Sequence, residues 1–149
     1  MTASRHLLCP ACGAVNRIPG DRPAAAARCG RCKASLFPDH PIELDAASFE
    51  RHLAKDEVPL LVDFWAPWCG PCRIMAPAFA EAAKRFRGEV RFAKLNIDEA
   101  PEVARRFAVQ GVPTVILFAR GRELARRSGA LPRPMLERWV EQHLAGVGA

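Results

Sequence analysis

The sequence contains no apolar stretch approaching the roughly 20 residues that a membrane-spanning helix needs. Its first eight residues carry Arg5 and His6 but no apolar run long enough for the core of an export signal. No basic stripe is interleaved with aromatic residues, so nothing favours a nucleic-acid surface. These absences set the expectation of a cytoplasmic protein without membrane or nucleic-acid partners, kept in a reducing compartment where structural disulfides are rare; a monomer is expected as well. Against that background the six cysteines are informative. They stand at 9, 12, 29, 32, 69 and 72, as three Cys-x-x-Cys pairs. In a reducing compartment such pairs indicate metal or redox chemistry.

The 149 residues suffice for one ordinary domain and a small module, and half of them are apolar. Net charge is +6, of which residues 1–39 supply +4 and residues 40–149 only +2. A solvated arginine-rich surface explains that excess. Residues 1–38 are rich in Gly, Pro, Ala and Arg. Their sizeable apolar groups are Leu7, Leu8, Val15, Ile18, Leu36 and Phe37. That is too little for an independent core, so the segment needs a staple. Phe37-Pro38-Asp39-His40-Pro41 reads as a linker to a second region, 39–149.

The second region has an α/β pattern. Ile42-Glu43-Leu44 suits a short edge strand, and Asp45 suits the N-cap of a helix to about Lys55. Leu60 to Trp65 is nearly all apolar, as in a strand covered on both faces. A helix is expected from near Cys69 to Phe86, with Pro77 kinking it. Strands over Val90–Ile97, Thr114–Phe118 and Arg122–Ser128 follow, the last two joined by a tight turn at Arg120-Gly121. Helices are expected over Pro101–Phe107 and Pro132–Leu144.

Cys69 and Cys72 stand three residues apart at an expected helix start, where their sulfurs can face each other and close a small ring. Cys69 would meet the orphan amides and positive dipole end, which favour a thiolate. It would attack a substrate disulfide, and Cys72, one turn further in, would resolve the mixed disulfide. Pro71 has no N–H and a fixed φ, which suits a first helical turn. The competing readings are half of a zinc site, or inert buried thiols.

Asp63 interrupts the apolar strand. If buried, its pKa rises and it becomes a proton acceptor for Cys72. The alternative is a strand-end carboxylate bonded to backbone or to Lys94. Val112-Pro113-Thr114 places a proline at a strand start, compatible with a cis bond or an ordinary trans turn.

Cys9-x2-Cys12 and Cys29-x2-Cys32 are separated by sixteen residues, within the range of four-cysteine zinc sites. Gly13 and Gly30 allow tight knuckle turns. Zn²⁺ would supply the folding energy that the small core lacks. Two disulfides or four free thiols are the alternatives. Four thiolates leave no open position, so a catalytic zinc is not expected.

Taken with Val62-Asp63-Phe64-Trp65-Ala66-Pro67-Trp68-Cys69-Gly70-Pro71-Cys72, Pro77, Ala93 to Asp98, Gly111 to Thr114, Gly121 and Gly129, the chain resembles the thioredoxin family. The N-terminal cysteines resemble the thioredoxin-2 type. That resemblance implies a thioredoxin fold, a central mixed five-stranded sheet flanked by four helices, preceded by a small zinc-ribbon-like module. It implies a protein-disulfide reductase with Cys69 as nucleophile and Cys72 as resolving thiol, cycling through a Cys69–Cys72 disulfide without a bound organic cofactor. It makes Asp63, with Lys94, the buried base and Pro113 a cis-proline. Trp68, Gly70, Pro71, Val112, Pro113 and Gly129 would line the groove for disulfide-containing protein substrates. Gly70-Pro71 resembles the reducing members, and NADPH-dependent thioredoxin reductase is the implied electron donor. The zinc module would be structural or redox-responsive. The competing function is a non-catalytic docking adaptor.

Overall fold

A computed structural model describes residues 3–145; residues 1–2 and 146–149, the extremities of the two expected regions, lie outside the described residues. The chain opens with an antiparallel pair, β1 (Arg5–Leu8) and β2 (Val15–Ile18), that the sequence pattern does not announce. Leu7, Ile18, Leu36 and Phe37 close over Cys9 and Cys29 in a small cluster. Phe37 is therefore packed rather than part of a free linker, while Val15 stays half exposed.

The elements from Ile42 onward form in the expected order. β3 (Ile42–Leu44) leads to α1 (Ala46–Lys55), and β4 (Leu60–Trp65) leads to α2 (Gly70–Arg85). β5 (Arg91–Asn96) and α3 (Pro101–Arg106) follow, then the hairpin β6 (Thr114–Ala119) and β7 (Arg122–Ser128), then α4 (Arg133–Leu144). Asp45 caps α1 reciprocally. Its carboxylate accepts from the Ser48 N–H at 2.8 Å, and Ser48 Oγ accepts from the Asp45 N–H at 2.9 Å. Arg120 and Gly121 both have positive φ, as the two-residue turn requires. α2 runs through Pro77 without ending.

The five strands are ordered β3-β5-β4-β6-β7. β3, β5 and β4 are mutually parallel, and β6 and β7 run antiparallel to their neighbours. Side chains alternate across this mixed sheet. Leu61, Phe92, Val115 and Leu117 pack under α2 and α4, against Met75, Phe79, Leu136 and Val140. Leu60, Val62, Phe64 and Ile116 pack on the other side, against Phe49 of α1 and Val103 of α3. β4 is covered on both faces, which is why it reads as a nearly unbroken apolar run.

The N-terminal module is bolted onto this domain. Val58, just before β4, belongs to the module's own apolar cluster. Beside it Arg91, fully buried, donates from Nη1 to Asp56 Oδ1 and from Nη2 to the Leu36 carbonyl, both at 2.8 Å. Asp56 also accepts the Leu8 N–H at 2.9 Å and lies 2.8 Å from His52 Nδ1. One carboxylate thus gathers an arginine, a histidine and a module amide. Arg87 adds a bond from Nε to the Phe37 carbonyl.

Candidate active site and metal centre

β4 emerges from the sheet at Trp65, and a short turn carries the chain into α2. Cys69 is the N-cap of α2, in extended conformation, and its Sγ accepts the Cys72 N–H at 3.1 Å. Cys69 and Cys72 are joined as a disulfide with their Cα atoms 5.3 Å apart. Burial does not separate them, since they are 4% and 3% exposed. Position does. Cys69 sits at the helix terminus, where the dipole favours negative charge, and Cys72 lies inside the first turn. Pro71 occupies the first turn without forfeiting a helical hydrogen bond.

The loop before β6 closes over this pair. The Val112–Pro113 peptide is cis, and the Val112 carbonyl lies 3.6 Å from Cys69 Sγ. Gly129, with φ +95°, donates its N–H to the Pro113 carbonyl at 2.8 Å and ties the end of β7 to that loop. Trp68 is 66% exposed, with Nε1 3.4 Å from Asp98 Oδ1. A Cβ on Gly70 would meet nothing within 4 Å, so no close approach demands glycine there. Sequence reasoning missed Ile74, which is 78% exposed on the second turn of α2. It falls off the stripe formed by Met75, Phe79, Ala82 and Ala83, and an apolar residue off the buried stripe was the available signal. Ile97, which packs against the dithiol cluster from the end of β5, was missed as well.

Asp63 lies in the middle of β4, wholly buried, on the sheet face beneath α2. Neither carboxylate oxygen has a hydrogen-bond partner among the described residues, so the backbone-bonded and Lys94-bonded alternatives both fail. Burial pushes its pKa up to about 7, with Lys94 pulling weakly the other way. Lys94 is its register partner on β5 and holds Nζ 4.5 Å from the centre of the Trp65 ring. The carboxyl is thus poised to exchange a proton near neutrality.

The other four cysteines converge separately. All four Sγ atoms lie within 4.8 Å of one another, and the Cys9–Cys32 and Cys12–Cys29 pairs are 3.6 Å apart. A tetrahedral ion with metal–sulfur bonds of about 2.3 Å needs edges of about 3.8 Å, so the donor set fits. The two knuckles are built alike. The Cys9 N–H donates to the Ala14 carbonyl and the Gly13 N–H to the Cys9 carbonyl, at 2.8 and 3.0 Å. In the second, Cys29 donates to Ala34 and Lys33 to Cys29, at 2.8 and 2.9 Å. Backbone amides of Ala11 and Cys12 point at Cys9 Sγ, and that of Arg31 at Cys29 Sγ, each at 3.4 Å. The left-handed residue is Gly13 in one knuckle and Lys33 in the other. Gly30, expected to serve the second turn, does not have positive φ; its N–H donates to Asn16 Oδ1 at 2.9 Å.

Comparison with known proteins agrees with this geometry. The thioredoxin family profile matches residues 40–142, and the profile described as "Thioredoxin 2, N-terminal", a zinc ribbon, matches residues 8–34. Thioredoxin C-3 of Corynebacterium nephridii is 41% identical over 138 residues, covering 93% of this chain and 94% of that protein. The thioredoxin of Rhodospirillum rubrum is 46% identical over 99 residues, covering 66% of this chain and 95% of its own. That of Haemophilus influenzae is 38% identical over 103 residues, covering 69% and 96%. The first match extends into the cysteine-rich module, while the shorter ones span little more than the α/β domain. The chain belongs to the thioredoxin family of thiol–disulfide oxidoreductases, with a zinc-ribbon module at its N-terminus.

Proposed function

We propose that this protein reduces disulfides in other proteins by dithiol exchange at Cys69 and Cys72. The observation that carries the reading is the Cys69–Cys72 disulfide at the α2 N-terminus, with Cys69 as N-cap and, in the strand beneath, the Asp63 carboxyl without a hydrogen-bond partner among the described residues. In the reduced protein, Cys69 thiolate attacks a substrate disulfide and one substrate sulfur leaves. Cys72 loses its proton toward Asp63, attacks Cys69 Sγ and expels the second substrate thiol. Lys94 steadies the charge on Asp63. Trp68, Gly70, Pro71, Val112, Pro113 and Gly129 form the rim against which an extended substrate segment lies, and the exposed Ile74 extends that rim.

Cys9, Cys12, Cys29 and Cys32 hold one structural Zn²⁺ in this reading, supported by their mutual distances and the amides aimed at their sulfurs. The 1–38 and 39–149 regions act as one monomer in the cytoplasm, carrying electrons from an NADPH-dependent thioredoxin reductase. The family and the presence of both Cys69 and Cys72, joined as a disulfide, support this reading over a docking adaptor. Insulin reduction measured with and without thioredoxin reductase and NADPH tests it. Catalysed reduction only in the complete system supports it; no reduction with dithiothreitol-regenerated protein overturns it.

A further inference from the structure

The zinc site explains the two knuckles but not the spacer between them. Its Pro-, Ala- and Arg-rich residues build a groove. One part, a cavity of about 320 Å³, is lined by Arg17, Arg22 and Arg28 over a floor of Ile18 and Leu36. A second cavity of about 330 Å³ shares Ala26 and Arg28 and is bounded by Arg87 at the far end of α2. The groove therefore crosses from the module onto the α/β domain.

Neither an acidic nor an aromatic residue lines either part among the described residues. Among the described residues none of the four arginines forms an ion pair with a carboxylate, and the nearby Asp39 pairs with His40 instead. Two guanidinium groups are held in place by the protein itself. Arg28 donates to the Lys33 carbonyl at 3.1 Å, and Arg87 donates to the Phe37 carbonyl and Ser35 Oγ. Each guanidinium has five N–H donors, so most remain for a ligand. Pre-positioned arginines bind carboxylates at reduced entropic cost. Nucleic acid is disfavoured because no ring is present to stack a base.

We propose that this groove binds an acidic, extended segment of a protein substrate. The proposal rests on the reductase reading above for the identity of its partner. α2 has 16 residues and is ~24 Å long at ~1.5 Å per residue, so the groove lies about that far from the dithiol. It would hold a second region of the substrate, not the disulfide itself. Substrates carrying an acidic tail would then be selected from others with equally exposed disulfides.

The test uses the full chain loaded with zinc and a fluorescein-labelled deca-glutamate peptide that contains no cysteine. Binding is read by anisotropy, so it is independent of redox turnover. Saturable binding is expected, weakened at least tenfold by the triple change Arg17→Ser, Arg22→Ser, Arg28→Ser, and absent with deca-glutamine. A control removing equal charge elsewhere, Arg105→Ser, Arg122→Ser, Arg138→Ser, should bind like wild type. Zinc content and circular dichroism check that the triple variant folds; if it does not, Arg22→Glu alone must give the tenfold loss. Equal affinity of wild type and groove variant overturns the proposal. So does equal loss in the control, which would mean attraction by net charge only. A single-stranded ten-nucleotide DNA binding more tightly through the same arginines overturns the choice of a peptide. Glutamate binding in a protein that fails to reduce insulin would refute the reductase reading and leave this groove standing.

Discussion

Asp63 and Lys94 face each other across parallel strands β4 and β5, yet Asp63 receives no hydrogen bond from Lys94 or from any other described residue. Burial brings the carboxyl to about half protonation near pH 7. Its folded-state pKa, about 7, is above that of the unfolded chain, so its contribution to stability is complete below about pH 4. That contribution is lost as pH rises through about 7. Asp63→Asn should therefore leave stability at pH 3 nearly unchanged and raise it at pH 9, by at most about 4 kcal/mol at ~1.4 kcal/mol per pKa unit. Urea unfolding of the oxidised protein at both pH values measures this. The same variant should slow insulin reduction and flatten its pH profile near neutrality.

Cys69→Ser should abolish reduction of protein disulfides. Cys72→Ser should instead accumulate a mixed disulfide through Cys69, visible as a mass adduct released by dithiothreitol. If Cys69→Ser kept normal turnover, the roles assigned to the pair would be wrong.

The knuckles differ at one backbone position. Lys33 adopts φ +68°, where Gly13 adopts φ +78°. A side chain in this region costs roughly 1–2 kcal/mol. Lys33→Gly should relieve part of that, stabilising the zinc-loaded protein by about 1 kcal/mol in thermal unfolding. Gly13→Ala should destabilise it by a similar amount. Stripping the metal with a strong chelator should unfold the module, because its apolar cluster is too small to persist alone.

Arg91 and Asp56 offer a cleaner test of how the module is held. Removing one member of a buried ion pair strands the other, so Arg91→Met should cost about 3–5 kcal/mol. The double variant Arg91→Met, Asp56→Leu should recover a substantial part of the loss. Denaturant curves of the three variants and wild type form the cycle; an additive double variant would show that the pair is not coupled.

Much of the fold was legible because the signals were periodic. Phe49 and Leu53, Met75 and Phe79, and the run from Leu60 to Phe64, broken only by Asp63, each point to the face they bury. The dithiol and the four-cysteine cluster were legible from spacing. What stayed hidden was non-periodic or long-range. β1 and β2, four residues each, depend on pairing with each other and give no alternation to read. His52 and Arg91 are polar residues in otherwise ordinary amphipathic patterns, and an arginine in a basic chain reads as solvated. Only tertiary structure brings together residues 8, 36, 52, 56 and 91. Lys33 was hidden for a different reason: a lysine does not advertise a left-handed backbone, whereas Gly30, three residues earlier, does.

The Arg91–Asp56 contact also bears on inheritance. A cysteine module and a redox domain look like two interchangeable parts, but this pair makes them a matched set. A lineage that discarded the first 38 residues would leave a buried arginine with no carbonyl to meet and a valine facing water, so positions 56, 58 and 91 would have to change with the deletion. The arginine at the start of the third strand of the sheet and the aspartate after the first helix thus belong to the module's seat as much as to the domain that carries them.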